Sequence, residues 1–265
     1  MNSQRKTAVI TGASSGIGAA FARRLAGEGF DLMLHGRREE RLQALCKEVR
    51  SLHGISAEYV VAELSDPGDL TRLEHRVRQT ANLVMLVNNA GSSSILRFYE
   101  EDIDVQESIM RVHINASVRL THAALAVMLP RRDGAIINVS SVAASFISPG
   151  SVIYCASKLF LKSFTESLHL ELRNTGVRVQ VLCPGYTATE FHARLGYDTS
   201  GAFFRNFMSA EEVVDISLRY LHKGKVVCIP GLKYRLAVLL PHLIPRPLLY
   251  KLTLRVTGGR KYPPK

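Results

Sequence analysis

The sequence predicts an α/β protein: one doubly wound domain on a parallel sheet of about seven strands, with helices on both faces. Three observations predict it. Short apolar runs alternate with longer amphipathic stretches from end to end. The runs are nearly continuous in apolar character, as strands covered on both faces must be. A glycine-rich turn links the first run to the first amphipathic stretch.

The strands are expected at 7–11 (TAVIT), 31–35 (DLMLH), 57–62 (AEYVVA), 83–87 (LVMLV), 134–140 (GAIINVS), 177–183 (VRVQVLC) and 226–230 (VVCIP). Between them, helical periodicity covers about 16–28, 38–53, 67–80, 102–129, 152–175 and 209–222. Repeated strand–helix–strand units close in a right-handed sense, and ligands of such sheets bind beyond the carboxyl ends of the strands, where strand order reverses. No repeat and no Pro/Gly/Ser linker divides the 265 residues, so 1–265 reads as a single domain.

Composition narrows the function. With 46% hydrophobic and 22% charged residues, the chain is of the globular class. Cys46, Cys155, Cys183 and Cys228 form no CxxC pair and no ligand spacing with histidine. Neither a disulfide framework nor a metal site is expected, and reduced thiols fit a cytoplasmic location. The N-terminus MNSQRKTAVITG has no apolar signal region. The net charge is +11, and the basic residues are dispersed, with small groupings at Arg23–Arg24, Arg37–Arg38 and Arg131–Arg132 and through the C-terminal tail. No recognition-helix or zinc-finger pattern accompanies it, so nucleic acid is not expected as a partner.

Four stretches carry candidate chemistry. TGASSGIG (11–18) places Gly12, Gly16 and Gly18 between a strand and a helix, with Ser14, Ser15 and Ile17 among them. Glycine lets backbone N–H groups approach a pyrophosphate, and the helix N-terminus adds positive charge there. At the end of the second strand, HGRRE has Gly36 where an acid would bind ribose hydroxyls, then Arg37 and Arg38. That exchange favours the 2′-phosphate of NADPH over NADH. NNAG (88–91, with Asn89, Ala90 and Gly91) ends the fourth strand and can hold a neighbouring loop or border adenosine. In VIYCASKLF, Tyr154 and Lys158 share a helix face.

Ser141 stands thirteen residues before Tyr154, Asn115 lies mid-helix in HINAS, and PGYTAT (184–189) follows. Glycine turn, NNAG, mid-helix Asn, Ser-x12-Tyr-x3-Lys and PGYTAT, in that order, resemble the short-chain dehydrogenase/reductase family in its compact branch of about 250 residues. The resemblance covers about 5–230 and implies a Rossmann-like fold. It implies that Tyr154 is the proton donor in carbonyl reduction, that Lys158 lowers the phenol's pKa and holds ribose hydroxyls, and that Ser141 binds the substrate oxygen. It implies that Asn115 holds a water linking Lys158 to solvent, and that Pro184, Gly185 and Thr187 or Thr189 contact the nicotinamide. Ser140 competes with Ser141, and the spacing to Tyr154 favours Ser141. Where the family usually has Asp near adenine, this chain has Glu63 followed by Leu64, which puts that side-chain role in doubt.

The segment 186–208 contains Tyr186, Phe191, Tyr197, Phe203, Phe204 and Phe207. As the family's substrate cap it implies a hydrophobic substrate; as ordinary packing it implies nothing. Cys155 either lines the pocket or fills the core. The extension 232–265 mixes apolar and basic residues around Pro241, Pro245 and Pro247. Its apolar runs fall short of the ~20 residues that span a bilayer. It is expected to pack on the body or a second subunit, to wall the pocket, or to touch a membrane surface. The expectation is thus an NADPH-dependent, reversible reductase of a hydrophobic ketone or aldehyde. The resemblance implies a homodimer or homotetramer through 102–129 and 152–175. Competing readings are a non-catalytic NADP(H)-binding regulator and a membrane-peripheral interaction protein.

Overall fold

The computed structural model describes residues 5–195 and 207–257. Seven parallel strands form one sheet: β1 (Thr7–Ile10), β2 (Asp31–Gly36), β3 (Ala57–Val61), β4 (Leu83–Asn88), β5 (Gly134–Val139), β6 (Val177–Leu182) and β7 (Val227–Cys228). Their order is β3-β2-β1-β4-β5-β6-β7, so the direction of winding reverses between β1 and β4. β7 is shorter than the apolar run 226–230; Pro230 has no N–H to extend the ladder.

Helices α1 (Gly16–Gly27), α2 (Glu39–His53) and α8 (Ala210–His222) cover one face, and α3 (Pro67–Gln79), α5 (Ser117–Arg131) and α6 (Val152–Glu171) cover the other. Alternation along β1 shows why both faces are apolar: Ala8 and Ile10 enter the first core, and Val9 enters the second. Two of these helices, α3 and α8, begin on side-chain caps. Asp66 accepts from the N–H of Asp69 ahead of Pro67, and Ser209 and Glu212 cap α8 reciprocally.

The helix expected over 102–129 is α4 (Ile103–Met110) and α5 joined by a π-helical stretch, Arg111–Ala116. Ile103–Arg131 is long and apolar enough to cross a bilayer, yet it is an internal helix packed on α3 and β4. The tail is helical: α9 (Leu232–Ala237), α10 (Leu240–Leu243) and α11 (Arg246–Thr257), with Pro241 and Pro247 in the first turns of α10 and α11. A short α7 (Glu190–Arg194) lies within the expected cap segment 186–208.

Candidate active site

A cleft of about 910 Å³ lies beyond the carboxyl ends of the strands, over the β1–β4 reversal. At its outer end the first turn is built by close approach. Gly12 has φ +66°, and a Cβ on it would lie 2.8 Å from the Ala90 Cα. A Cβ on Gly18 would lie 2.4 Å from the Gly12 carbonyl oxygen, so α1 packs onto the turn only because that side chain is missing. The Thr11 hydroxyl accepts from the N–H groups of Asn89 and Ala90, each at 3.0 Å. The Asn89 amide donates to the carbonyls of Thr11 and Gly12. Asn89 thus holds the neighbouring loop and at the same time lines the cleft.

Below this turn lies His35, 2% exposed at the end of β2. Its Nε2 pairs with the Ala62 carbonyl at 3.1 Å, and its Nδ1 faces the Gly12 N–H at 3.5 Å. These partners place the ring proton on Nε2. Burial pushes its pKa down to about 4, so the ring is neutral at physiological pH.

The rim is cationic. Arg38 donates through Nη2 to the Ser14 carbonyl at 3.2 Å and pairs through Nη1 with Glu190 at 2.9 Å; Arg41 pairs with the same carboxylate. Arg37, more exposed, pairs with Glu63 at 3.0 Å. No acidic residue occupies the first turn of α1. A cradle in which side chains at Gly12 and Gly18 would clash, ending at a helix N-terminus and two arginines, fits the phosphates of a dinucleotide.

Deeper in the cleft stand Ser141, Tyr154 and Lys158. Ser141 caps the 3-10 turn Val142–Ser145, its hydroxyl accepting from the Ala143 N–H at 3.1 Å. The adjacent Ser140 is committed elsewhere: its hydroxyl donates to the Lys158 carbonyl at 2.6 Å. Lys158 is 4% exposed, with Nζ donating to the Val139 carbonyl at 2.9 Å and lying 5.7 Å from the centre of the Tyr154 ring. Burial lowers its pKa to about 8. Burial raises the Tyr154 phenol to about 12, against the opposing hydrogen bond of Ser141. The phenol is therefore protonated at neutral pH, the state a proton donor needs.

A protein-family model described as short chain dehydrogenase matches residues 6–199. The chain belongs to the short-chain dehydrogenase/reductase family. It is thus an oxidoreductase that works on CH–OH or C=O groups with a nicotinamide cofactor. Sulfoacetaldehyde reductase 2 of Chromohalobacter salexigens is 36% identical over 217 residues, covering 78% of this chain and 85% of that protein. A short-chain dehydrogenase from Sphingobium yanoikuyae, solved in complex with NADPH, is 32% identical with a TM-score of 0.82 and covers 97% of this chain and 98% of that one. The bulky-bulky ketone specific alcohol dehydrogenase of Comamonas testosteroni is 28% identical with a TM-score of 0.78, covering 97% and 95%.

Against this family pattern, most expected site residues face the same cleft. Ser14, Ser15, Gly16, Ile17, Leu64, Gly91, Pro184, Gly185, Thr187 and Thr189 all line it beside those described above. Two do not. Gly18 acts through packing, as its close approach shows. Asn115 is exposed outside the cleft, and His113 takes the position expected of it. The reason is helical geometry: two residues carry a side chain roughly half-way round the axis. His113 is fully buried on the stripe of Ile109, Ala116 and Leu120. Its Nε2 accepts from the Ser92 N–H at 3.1 Å, and its Nδ1 meets the Ser157 hydroxyl at 2.8 Å. The ring is T-stacked on Tyr154 with centres 5.7 Å apart. Burial and the neighbouring Lys158 hold its pKa well below the usual value, so it is neutral with its proton on Nδ1.

The inner mouth is largely apolar, with Ile95, Phe146, Ile147, Phe191 and Cys155 on its walls. Phe191 lies 6.0 Å from the Tyr154 ring, and Tyr186 stacks on Phe207 at 5.0 Å. Tyr197, Phe203 and Phe204 lie outside the described residues. Tyr234 from α9 covers Gly185 and donates its hydroxyl to the Tyr186 carbonyl at 3.3 Å, so the tail supplies one wall.

Proposed function

We propose that this enzyme is an NADPH-dependent reductase of a hydrophobic ketone or aldehyde, reversible as an alcohol dehydrogenase. The observation that carries the reading is one continuous cleft. Arg38 stands at its outer end, Ser141, Tyr154 and Lys158 stand at its depth, and aromatic and aliphatic walls enclose its mouth. A bound nicotinamide supplies the hydride that reaches the carbonyl carbon. Every other part belongs to this chain. Ser141 donates to the substrate oxygen as negative charge develops on it, and Tyr154 gives that oxygen its proton. The Lys158 ammonium stabilises the phenolate left behind until it is reprotonated from solvent. His113 holds the backbone of Ser92 and the Ser157 hydroxyl, which in turn donates to the Tyr154 carbonyl at 2.9 Å, so it positions the tyrosine without touching substrate.

The NADPH preference rests on Arg37 and Arg38 together with Gly36, which leaves no carboxylate at the end of β2 to repel a 2′-phosphate. The hydrophobic substrate rests on the mouth and on the resemblance to the bulky-ketone alcohol dehydrogenase. A homodimer through α5 and α6 is proposed on the apolar face of α6, where Val152, Leu159, Phe160 and Leu170 are exposed; light scattering measures the mass.

Oxidation of NADPH and NADH against aliphatic, aromatic, steroid-like and acyl carbonyls tests the reading, with Tyr154→Phe alongside wild type. Turnover is expected with NADPH and with the bulkier carbonyls. It should fall on the order of 100-fold or more in the mutant while cofactor fluorescence titration stays unchanged. Tight NADPH binding with no turnover on any carbonyl would instead favour a non-catalytic regulator.

A further inference from the structure

The charge of this molecule is concentrated at one end of the sequence. Residues 1–215 hold 23 basic and 23 acidic side chains; the 50 residues after Asp215 hold 11 basic and none acidic. The whole net charge of +11 therefore sits in that last stretch. The same stretch carries the densest exposed apolar surface. Nine large apolar side chains are exposed between Leu232 and Leu254, among them Leu236, Leu240, Leu243, Leu248 and Leu254 at 50 to 78%. Scattered single leucines on a surface are ordinary, but a run of this density rimmed by one sign of charge marks an interaction surface. Among the described residues, Arg246, Lys251 and Arg255 are in no ion pair with a carboxylate of this chain.

We propose that α9–α11 is a peripheral docking module that lies flat on an anionic bilayer, with the mouth of the cleft beside the lipid. Charge complementarity selects this occupant. A second copy placed face to face would set basic side chains against basic ones, with no carboxylate in the segment to pair with them. Lipid phosphates and carboxylates supply the missing negative charge, and the interfacial hydrocarbon takes the leucines. Prolines at 241, 245 and 247 break the segment into helices of 6, 4 and 12 residues, too short to span and suited to lying in the plane. The module is continuous with the cleft, because Tyr234 and Ala237 of α9 line it. On the reductase reading, on which this last step rests, a carbonyl compound dissolved in the bilayer reaches Tyr154 with little exposure to water.

Sedimentation of the full chain with vesicles tests the proposal, using phosphatidylcholine alone and phosphatidylcholine mixed with phosphatidylserine. The protein should pellet with the anionic vesicles, and added salt should release it. Lys251→Gln combined with Arg255→Gln should weaken binding by roughly 25-fold, about a factor of five per cation. Leu243→Gln with Leu248→Gln and Leu254→Gln should bring binding near background. These five positions lie outside the cleft, so both variants should oxidise NADPH with a water-soluble ketone at the wild-type rate. Three results would overturn docking. One is absence of binding to anionic vesicles; another is binding that ignores lipid charge and both variants. The third is self-association that the leucine variant abolishes, which would assign the face to a second copy. The soluble-ketone assay separates the two claims: its failure with vesicle binding intact would sink the reductase reading alone.

Discussion

His113 and Asn115 are two positions apart, and only one of them faces the reaction. His113 joins three parts of the site through neutral hydrogen bonds: the backbone after NNAG, the Ser157 hydroxyl on α6, and through that hydroxyl the turn carrying Tyr154. Replacing it with leucine keeps apolar bulk but leaves the half-buried Ser92 N–H without its acceptor and the buried Ser157 hydroxyl without the donor at Nδ1, at a cost of about 1–3 kcal/mol. His113→Leu is expected to lower kcat by roughly 10- to 100-fold with a smaller change in the KM for NADPH. His113→Gln, which retains an acceptor and a donor, should recover part of the loss. Asn115→Ala should stay within about twofold of wild type. Steady-state kinetics on the three variants decides the matter, and a large loss in Asn115→Ala would return the role to that residue. The signal for His113 was present in the sequence as the buried stripe Ile109, His113, Ala116 and Leu120. Asn115 is the more conspicuous residue of the two, because asparagine forms helices poorly.

At the level of elements, the sequence was legible wherever one physical constraint dominated. The seven apolar runs became the seven strands because both faces of this sheet are covered, and the helical stretches at 67–80, 102–129 and 209–222 begin on the local caps Asp66, Asp102 and Ser209. The π-helical stretch and the three tail helices were not legible. The first is one wide turn inside a regular period, and the others depend on what α9 packs against, which is Gly185, roughly 50 residues earlier. In the cofactor turn, the element-level constraint is the contact between β1's loop and α1. A methyl group at Gly18 would meet the Gly12 carbonyl oxygen at 2.4 Å and the Asn89 amide nitrogen at 2.5 Å, so backbone has to move. Gly18→Ala is expected to destabilise the protein by about 1–3 kcal/mol. That lowers the melting temperature by a few degrees for a chain of this size. It should also weaken NADPH binding at least roughly tenfold, because the same shift spoils the pyrophosphate cradle. Scanning fluorimetry and a cofactor titration measure both; a variant that melts and binds like wild type would mean that the close approach is not needed.

For the whole molecule, His35 links the site to stability against acid. It lies between the first turn and the end of β3, touching Gly12 and the Ala62 carbonyl, with Glu63, Asp69 and Arg37 as its charged neighbours. Burial outweighs the two carboxylates and brings its pKa from the ordinary 6.5 down to about 4. Between these values the unfolded chain binds a proton that the folded chain refuses, so stability rises with pH across that window. The full contribution of the neutral ring is present above about 6.5 and is lost as pH falls toward 4. The difference of about 2.5 units corresponds to about 3 kcal/mol, a large share of the 5–15 kcal/mol that holds a typical domain together. Protonation also removes the acceptor facing the Gly12 N–H, so the cofactor turn should loosen in the same range. Urea unfolding followed from pH 7 to pH 4 should show this steep decline in wild type. In His35→Gln, which has no titrating ring, the midpoint should be lower at pH 7 and the decline shallower by about the same 3 kcal/mol. Parallel pH profiles for the two proteins would assign the acid sensitivity to carboxylate ion pairs such as Arg37–Glu63 instead.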